Sequence, residues 1–339
     1  MTTFITIIGI SLLIIFHELG HYLAARFAGM RVIKFSIGFG PTLLKHQIGE
    51  TIWQLAVIPF GGYVQVQGMG PEEEQQNDGR GYNDKPRWQR AIMLAAGPVT
   101  NWIIAALCLT ILAIAVGLRD YSNPTTELGV VESEMAAGKA GIQAGDRITE
   151  INGVVVNDWE SLVQEVRKYP EKTVPFVYIR QGKSFTVAVT PKASSNGEYG
   201  IIGIQPAAKL VTYGFFDGIA AGIVATAKLT ANQASLLWGV ITGSQEGHLS
   251  GIPGIVKTLS AQAKRSLTQF FETLATLSIV LFILNLAPIP SLDGSRLVFL
   301  GIESLRRKPN NNLVEGWVHG IGLILLLGLI LVISVRDLL

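Results

Sequence analysis

The sequence predicts a polytopic α-helical membrane protein with about four transmembrane helices, a membrane-associated β region and one inserted α+β domain. Of the 339 residues, 49% are hydrophobic and 15% are charged, against roughly 25% charged residues in ordinary soluble chains. Four apolar segments approach or exceed the ~17–25 residues that a spanning helix needs. Between two of these segments, strand patterns and an amphipathic helix pattern indicate a separate globular unit.

The four apolar segments run from Thr3 to Ala25, Ala91 to Leu118, Phe270 to Leu286 and Trp317 to Val335. Their positions divide the chain. We expect transmembrane helices at 1–30, 91–118, 270–295 and 317–339, a β region at 31–70, cytoplasmic loops at 71–90 and 296–316, the inserted domain at 119–207, and a helix with a loop at 208–269.

Charge predicts the orientation and excludes one class of partner. Basic residues are concentrated in the two loops that we assign to the cytoplasm, as the positive-inside rule requires, so the inserted domain lies outside. A net charge of +2 without a Lys/Arg run gives no sign of a nucleic-acid partner. The basic residues are Arg26, Arg31, Lys34, Lys45, Arg80, Lys85, Arg87 and Arg90 between the first and second apolar segments, and Arg296, Arg306, Arg307 and Lys308 between the third and fourth.

The region at 31–70 has the composition of strands and turns. "VIKFSIGFGP" and "IWQLAVIPFGGYVQVQGMG" are rich in β-branched and aromatic residues, with Gly and Pro between them. Apolar strands of this kind can enter the lipid if they pack on protein.

The inserted domain alternates strand patterns such as "VPFVYI" with the helical pattern "DWESLVQEVRKY". After it, residues 213–243 are moderately apolar but contain Asp217 and Lys228. This segment is a weak fifth span, and a helix lying on the outer membrane surface is the favoured interpretation.

A metal-binding motif lies inside the first apolar segment. His17, Glu18 and His21 form HExxH, and the fourteen residues before it, Thr3 to Phe16, carry no charge. On a helix the two imidazoles face the same way and can reach one metal, while Glu18 can take a proton from a water molecule. Three ionisable groups beside lipid are costly, which favours a functional role. Fourteen residues place His17 about 21 Å from the outer end of the helix.

A catalytic zinc needs a third protein ligand. The extended soluble-protease pattern HExxHxxGxxH fails, because Ala24 and Phe27 occupy its Gly and His positions. His46 and Glu50 are conceivable ligands, although solvated polar residues near a turn are the more common case. The better candidate is Asp293, where Pro288 and Pro290 in "LNLAPIPSLDGSR" predict a break after the third apolar segment.

These motifs together resemble the site-2 protease family of intramembrane zinc proteases, in its bacterial branch with PDZ domains, which includes the sigma-E-activating protease. The resemblance covers essentially the whole chain. It rests on "HELGHYLAARFAGMRVIKFSIGFGP", "PFGGYV", "KPRWQRAIMLAAGPVTN" and "LNLAPIPSLDG", in the family's order.

The resemblance implies a Zn²⁺ cofactor bound by His17, His21 and Asp293, with Glu18 as the catalytic base. It also implies a substrate-binding role for the β region between Ile33 and Met69 and a backbone contact from Asn285. "KAGIQAGDRITEINGVVV" resembles a PDZ segment, so the inserted domain is expected either to capture a peptide carboxyl end or to exclude substrates with large outer domains. Further candidate substrate-binding residues are Gly61, Gly62, Gly68, Pro288 and Pro290.

Two departures from the family pattern accompany this resemblance. Ser295 and Arg296 follow Gly294 where the family usually has "LDGGH", and "SGIPGI" at 250–255 replaces the usual "SGPxGI". The first departure leaves the ligand intact but alters its surroundings.

The expected function is zinc-dependent hydrolysis of peptide bonds within the membrane spans of single-span proteins, such as anti-sigma factors or signal-peptide remnants. The expected location is the cytoplasmic membrane of a bacterium. The alternative is a catalytically inactive membrane scaffold or chaperone with a PDZ module. A zinc transporter should carry ionisable groups on several spans, whereas the second and fourth segments offer almost none beyond Asn101 and His319, which are more typical of helix packing.

Overall fold

A computed structural model describes residues 2–69, 78–120, 124–194, 197–243, 250–308 and 310–338. Part of the loop expected at 71–90 lies outside these ranges. The chain forms two compact units, one made of Met1–Ile114 with Gly214–Leu339 and the other of Ala115–Tyr213. The helices are α1 Thr2–Phe27, α2 Arg87–Ala115, α3 Ala136–Lys139, α4 Trp159–Arg167, α5 Phe215–Ile241, α6 Ile252–Arg265, α7 Leu267–Leu286, α8 Asp293–Arg306 and α9 Asn312–Leu338.

Four helices in the described residues are long and apolar enough to cross a membrane: α1, α2, α7 and the Leu313–Asp337 part of α9. They coincide with the four predicted segments. Only 11% of the most apolar 18-residue stretch of α9 is buried inside the protein. An apolar helix with so few protein neighbours fits contact with lipid. The first unit is therefore a bundle of apolar helices.

The predicted β region is a sheet formed by β1, Val32–Ile48, and β2, Thr51–Val66. The first part of β1 pairs antiparallel with the end of β2, from Val32 opposite Val66 to Ile37 opposite Gly62. The start of β2 lies between two parts of β1, since Ile52–Leu55 pairs with Lys34–Ile37 and Thr51–Ala56 pairs with Thr42–Ile48. Val32 and Phe35 are buried at the base of the sheet, whereas the far part of β1 is exposed, with Leu44 at 68%.

The second unit has the α+β organisation that its sequence pattern predicts. Its largest sheet has the strand order β6 (Val154–Val155), β5 (Arg147–Ile151), β7 (Val174–Arg180), β8 (Lys183–Val189). The side chains of Ile148, Ile151 and Phe176 are completely buried in the core of the unit. Asp158 caps α4 by accepting a hydrogen bond from the Ser161 N–H. The strands are β3 Leu118–Asp120, β4 Leu128–Val131, β5 Arg147–Ile151, β6 Val154–Val155, β7 Val174–Arg180, β8 Lys183–Val189, β9 Lys192–Ala193, β10 Gly200–Ile201, β11 Ile204–Pro206 and β12 Lys209–Val211.

A buried ion pair fastens this second unit. The Asp146 side chain is almost fully buried, and Arg180 donates to both of its oxygens at 2.6 Å. Burial alone would raise the pKa of the Asp146 carboxyl, but the Arg180 hydrogen bonds and the Gln143 N–H outweigh it, so this pKa lies below its ordinary value. The charged carboxylate therefore stabilises the folded unit.

Residues 213–243, which we expected to form a helix on the outer membrane surface, contain helix α5. This helix follows α2 lengthwise, with Gly218 against Ile114 and Gly222 against the Thr110 backbone, and the Trp102 Nε1–H donates to Thr230 at 3.2 Å. Two glycines four residues apart remove the side chains that would hold the helices apart. The small residues of α5 therefore let it pack against α2, and its position relative to a membrane stays a prediction.

The chain after the third apolar segment differs in part from our assignment. We placed residues 270–295 in the third transmembrane segment, with a break at Pro288 and Pro290, and residues 296–316 in a loop. Helix α7 ends at Leu286, in keeping with that break, whereas α8 occupies Asp293–Arg306, where the loop was expected. Glu303 of α8 is buried and accepts a hydrogen bond from Arg90 of α2 at 2.9 Å. This ion pair and the amphipathic pattern of α8 hold the expected loop as a helix against the bundle.

Candidate metal centre

Three predicted ligands meet at one point. Helix α1 places His17 and His21 one turn apart, and both residues are less than 10% exposed. Their Nε2 atoms lie 3.2 Å apart, and each lies 3.2 Å from the Oδ2 atom of Asp293. These three atoms form a triangle of equal sides, although His21 and Asp293 are 272 positions apart in the chain.

Close approach of α1 and α2 makes room for this triangle. A side chain at Gly20 would contact Ala96 and Thr100, and a Cβ atom at Gly97 would lie 2.1 Å from His21 Nε2. Pro98, the next residue, cannot donate the helical hydrogen bond to Leu94. The His21 ring therefore packs directly against the backbone at Gly97, the glycine of "GPVTN".

Hydrogen bonds from α2 orient both rings. The Nδ1 atom of His21 lies 2.8 Å from the Met93 carbonyl oxygen, so it carries the proton and donates. This leaves the lone pair of His21 Nε2 directed toward Asp293, as a metal ligand requires. The Nδ1 atom of His17 lies 3.2 Å from the side-chain amide of Asn101.

The break between α7 and α8 brings Asp293 to the histidines. Ser291 has a left-handed backbone with φ of 78°, which a non-glycine residue adopts only when its surroundings impose it. His319 of α9 accepts a hydrogen bond from the Ser291 N–H at 3.1 Å, and Gly322 of α9 leaves space for Pro290. A Cβ atom at Gly294 would lie 2.3 Å from the Leu286 and Ala287 carbonyls, so only glycine permits this return of the chain.

The donor set fits a tetrahedral zinc ion. Zinc bonds of about 2.0–2.1 Å at tetrahedral angles separate neighbouring ligand atoms by roughly 3.3–3.4 Å, and the three sides here are 3.2 Å. Two imidazole nitrogens and a carboxylate oxygen at such distances have the separations that suit ligands of one metal ion. Among the His, Cys, Asp and Glu side chains of the described residues, these three lie close enough together to hold one metal ion.

Glu18 lies beside this centre in a cavity of about 510 Å³. Gly62 allows the approach of the β sheet, because a Cβ atom there would lie 3.0 Å from Glu18 Cγ. Asn285, Gly61 and Gly62 line the same cavity as the predicted ligands. The site thus combines a metal triad, a carboxylate and a sheet within one cavity.

The other candidate residues lie elsewhere. Gly68 packs beside Gly81 and Tyr82, and Pro288 and Pro290 lie in the chain break itself. His46 is at the far end of β1 opposite Trp53. Glu50 accepts a hydrogen bond from Arg80 at 2.9 Å, which holds its carboxyl pKa below the ordinary value.

Three residues at the centre were not assigned a site role from the sequence. Asn101 and His319 were taken as packing groups, and Gly97 was not singled out at all. The signal for Asn101 and His319 was their polarity within apolar segments, which favours a functional role. Gly97 gave a weaker signal as a helix-interior glycine, because such residues usually have a packing reason.

The bundle and its centre define a class of protein: an integral membrane hydrolase with a metal site and a carboxylate inside a bundle of apolar helices. The chain also belongs to a known family, since it matches the description "Peptidase family M50" over residues 5–329. This is the site-2 protease family that the motifs resemble, and the protein is a zinc metalloendopeptidase.

Curated relatives agree over nearly the whole chain. The regulator of sigma-W protease RasP of Bacillus subtilis is 30% identical, with 96% of this chain and 95% of that protein covered. The zinc metalloprotease RasP of Geobacillus kaustophilus is 30% identical over 99% of this chain and 96% of its own length. A putative zinc metalloprotease of Clostridium acetobutylicum is 30% identical, covering 98% of this chain and 96% of that protein.

Among solved structures, the PDZ domain of an SdrC-like protein from Listeria monocytogenes is 23% identical with a TM-score of 0.22. It covers 26% of this chain and 90% of its own. The corresponding PDZ domain from Listeria innocua is 24% identical with a TM-score of 0.22, covering 24% of this chain and 92% of its own.

Proposed function

We propose that this protein hydrolyses peptide bonds inside the membrane spans of single-span proteins, with His17, His21 and Asp293 as zinc ligands and Glu18 as the catalytic base. The observation that carries the proposal is the triangle of ligand atoms within the apolar bundle, beside a cavity that contains Glu18. A soluble substrate would have no reason to meet a site at this depth in α1, whereas a membrane span would.

When bound, zinc supplies a Lewis acid that polarises the scissile carbonyl and makes water acidic enough to give up a proton near neutral pH. Glu18 takes that proton from the attacking water and delivers it to the leaving amine nitrogen. The backbone of Val64 lies within hydrogen-bonding reach of the Glu18 carboxyl and helps to fix its position. Asp293 and the histidines contribute ligand atoms and move no proton.

We propose that the substrate binds as an extended strand along β2. The last part of β2 pairs with β1 at Val32–Ile37, and no other described strand pairs with Gly61–Tyr63 on the opposite edge. Gly61, Gly62 and Tyr63 line the cavity, and Asn285, which lines the same cavity, is the second proposed backbone contact. Strand addition supplies main-chain hydrogen bonds without requiring a particular side chain.

This binding mode predicts that a substrate span must unwind before cleavage. Helix-breaking residues placed near the scissile bond should raise the cleavage rate, whereas a stiff poly-Leu span should resist. Equal rates for the two spans in the same proteoliposome assay would exclude strand addition as the binding step.

We propose that the second unit is a PDZ domain on the outer side of a bacterial cytoplasmic membrane. The placement follows from the basic loops. The fold proposal is supported by the α+β organisation and by a cavity of about 310 Å³ between α4 and the chain from Tyr199 to Gln205. A strand beside a helix with a cavity between them is a form that binds an extended peptide end.

Exclusion of substrates with large outer domains is our preferred role for this domain. A groove contact contributes affinity, but it does not discriminate against long outer domains, whereas a steric clash does. Deleting residues 124–207 should then permit cleavage of substrates that no earlier protease has shortened. If the groove instead recruits new carboxyl ends, the same deletion should slow cleavage of shortened substrates.

The curated relatives' name points to one substrate class, since the Bacillus subtilis protein is called a regulator of sigma-W protease. We propose anti-sigma factors or signal-peptide remnants as substrates here. The alternative, an inactive scaffold, requires that the ligand set be unable to hold zinc. The deciding experiment is the comparison of membrane fragments that accumulate beside a Glu18→Gln protein with those beside the wild type. No difference in fragments, together with no zinc in the purified wild-type protein, would support the scaffold.

A further inference from the structure

We propose that Asn101 is a positioning residue for the zinc centre: its side-chain oxygen accepts the Nδ1 proton of His17 and so turns the His17 Nε2 lone pair toward the metal. The proposal rests on the proposed zinc function and adds a role for a residue outside the ligand set.

Asn101 is completely buried on α2. Its side-chain amide lies 3.2 Å from His17 Nδ1. Its Oδ1 atom is buried and has no hydrogen-bond partner among the described residues, which is unfavourable for a polar atom out of water. The Asn101 backbone carbonyl accepts a hydrogen bond from the Ser278 hydroxyl of α7 at 2.8 Å, so the position of this residue is fixed from two helices.

The position of the His17 proton decides what the amide must do. If the Asn101 N–H donated to Nδ1, the proton of a neutral His17 would be on Nε2. That atom faces His21 Nε2 and Asp293 Oδ2 at 3.2 Å and would have no lone pair for a metal. A half-turn about the Asn101 Cβ–Cγ bond exchanges the amide oxygen and nitrogen, which have nearly the same shape. The oxygen then accepts from Nδ1–H.

His21 provides an internal comparison. Its Nδ1 atom faces the Met93 carbonyl oxygen at 2.8 Å, and an oxygen there can only accept. Its Nε2 atom is therefore the one with the free lone pair. With Asn101 as an acceptor, both histidines are held from the same helix by the same kind of bond, and both Nε2 atoms face Asp293. Hydrogen bonds of this type orient the ring and raise its basicity toward the metal.

The test separates an acceptor at position 101 from mere packing. Asn101→Leu removes the hydrogen bond, and Asn101→Asp provides oxygen atoms that only accept when ionised. The matched control is Thr226→Val, which removes a buried hydroxyl that bonds within α5. Zinc affinity of each purified full-length protein is measured by competition with a chromogenic chelator, and thermal unfolding of the metal-free proteins reports folding.

We expect Asn101→Leu to bind zinc about 10–100-fold more weakly, the usual cost of losing such a partner. Asn101→Asp should bind zinc at least as tightly as the wild type, and Thr226→Val should bind it unchanged. Should the leucine variant fail to fold, the aspartate variant still decides, because a donor role for Asn101 predicts that it weakens binding as well.

Wild-type affinity in a folded Asn101→Leu protein, or weakened binding in Asn101→Asp, would overturn the inference. Failure of the proposed function would look different: the wild-type protein itself would then bind no zinc, or would bind it equally well after His21→Ala.

Discussion

Gly97→Ala adds a single methyl group to α2 and should disable the zinc centre without unfolding the protein. The new Cβ atom would lie 2.1 Å from His21 Nε2, 2.6 Å from Cδ2 and 2.7 Å from Cε1. This Cβ atom would overlap the His21 ring at its ligand atom, Nε2. The His21 ring therefore cannot keep its position.

The required displacement follows from these distances. Ordinary van der Waals contact begins at 3.4 Å, so the ring or the helix must move by about 1.3 Å. The Met93 hydrogen bond at 2.8 Å resists that movement, and metal sites lose function when ligands depart by more than about 0.5 Å from their geometry. A 1 Å misplacement can cost about 100-fold in rate. We expect at least that loss in kcat/KM, together with weaker zinc binding.

The assay uses full-length protein in proteoliposomes with a single-span substrate, and zinc is measured by mass spectrometry after brief chelator treatment. Gly301→Ala is the matched control, since a Cβ atom at Gly301 of α8 meets nothing within 4 Å. It should keep full activity and unfold at the same or a slightly higher temperature, because alanine favours a helix. If Gly97→Ala matched the control in rate and zinc content, the α1–α2 packing described here would be wrong at the site.

Three further predictions concern Glu18, His319 and Arg180. Glu18→Gln should retain its zinc but lose about 100–10,000-fold in kcat, as expected for a missing general base; loss of zinc would instead make Glu18 a ligand. His319→Phe removes the acceptor for the strained Ser291 backbone, so both zinc affinity and kcat should fall by about tenfold, whereas an unchanged affinity would make His319 a packing residue. Arg180→Gln should lower the unfolding temperature of the second unit at pH 7 by about 5–10 °C. Since the folded pKa of Asp146 is depressed, the pair stabilises the unit above about pH 4 and this difference should vanish as pH falls through the folded pKa; a difference that stayed constant as the pH was lowered from 7 until the unit unfolds in acid would exclude the ion pair as its cause.

The parts of the fold that depend on short-range sequence patterns could be predicted from the sequence. The four apolar segments, the β region and the α+β insert all show periodicities or lengths that lipid and sheet geometry impose. The same holds for HExxH, because two residues four apart on a helix must share a face. Asp293 could be predicted as the third ligand because two prolines indicate a helix break beside an acidic residue.

Helix packing was less accessible from the sequence. Helix α5 carries Asp217 and Lys228 but packs in the bundle through Gly218 and Gly222. Small residues on one face indicate that a helix can pack closely, but they do not indicate which other helix it packs against. Gly97 was missed for the same reason. Its importance comes from the His21 ring on another helix, a contact that no local pattern encodes.

Zinc-edge X-ray absorption of the purified full-length Glu18→Gln protein tests whether one zinc ion is bound by His17, His21 and Asp293. We expect a four-coordinate spectrum with two imidazole ligands and oxygen at about 2.0–2.1 Å and no sulfur, and we expect that Asp293→Ala changes that spectrum or loses the metal. A third imidazole in the spectrum, or an unchanged spectrum in Asp293→Ala, would contradict this ligand set.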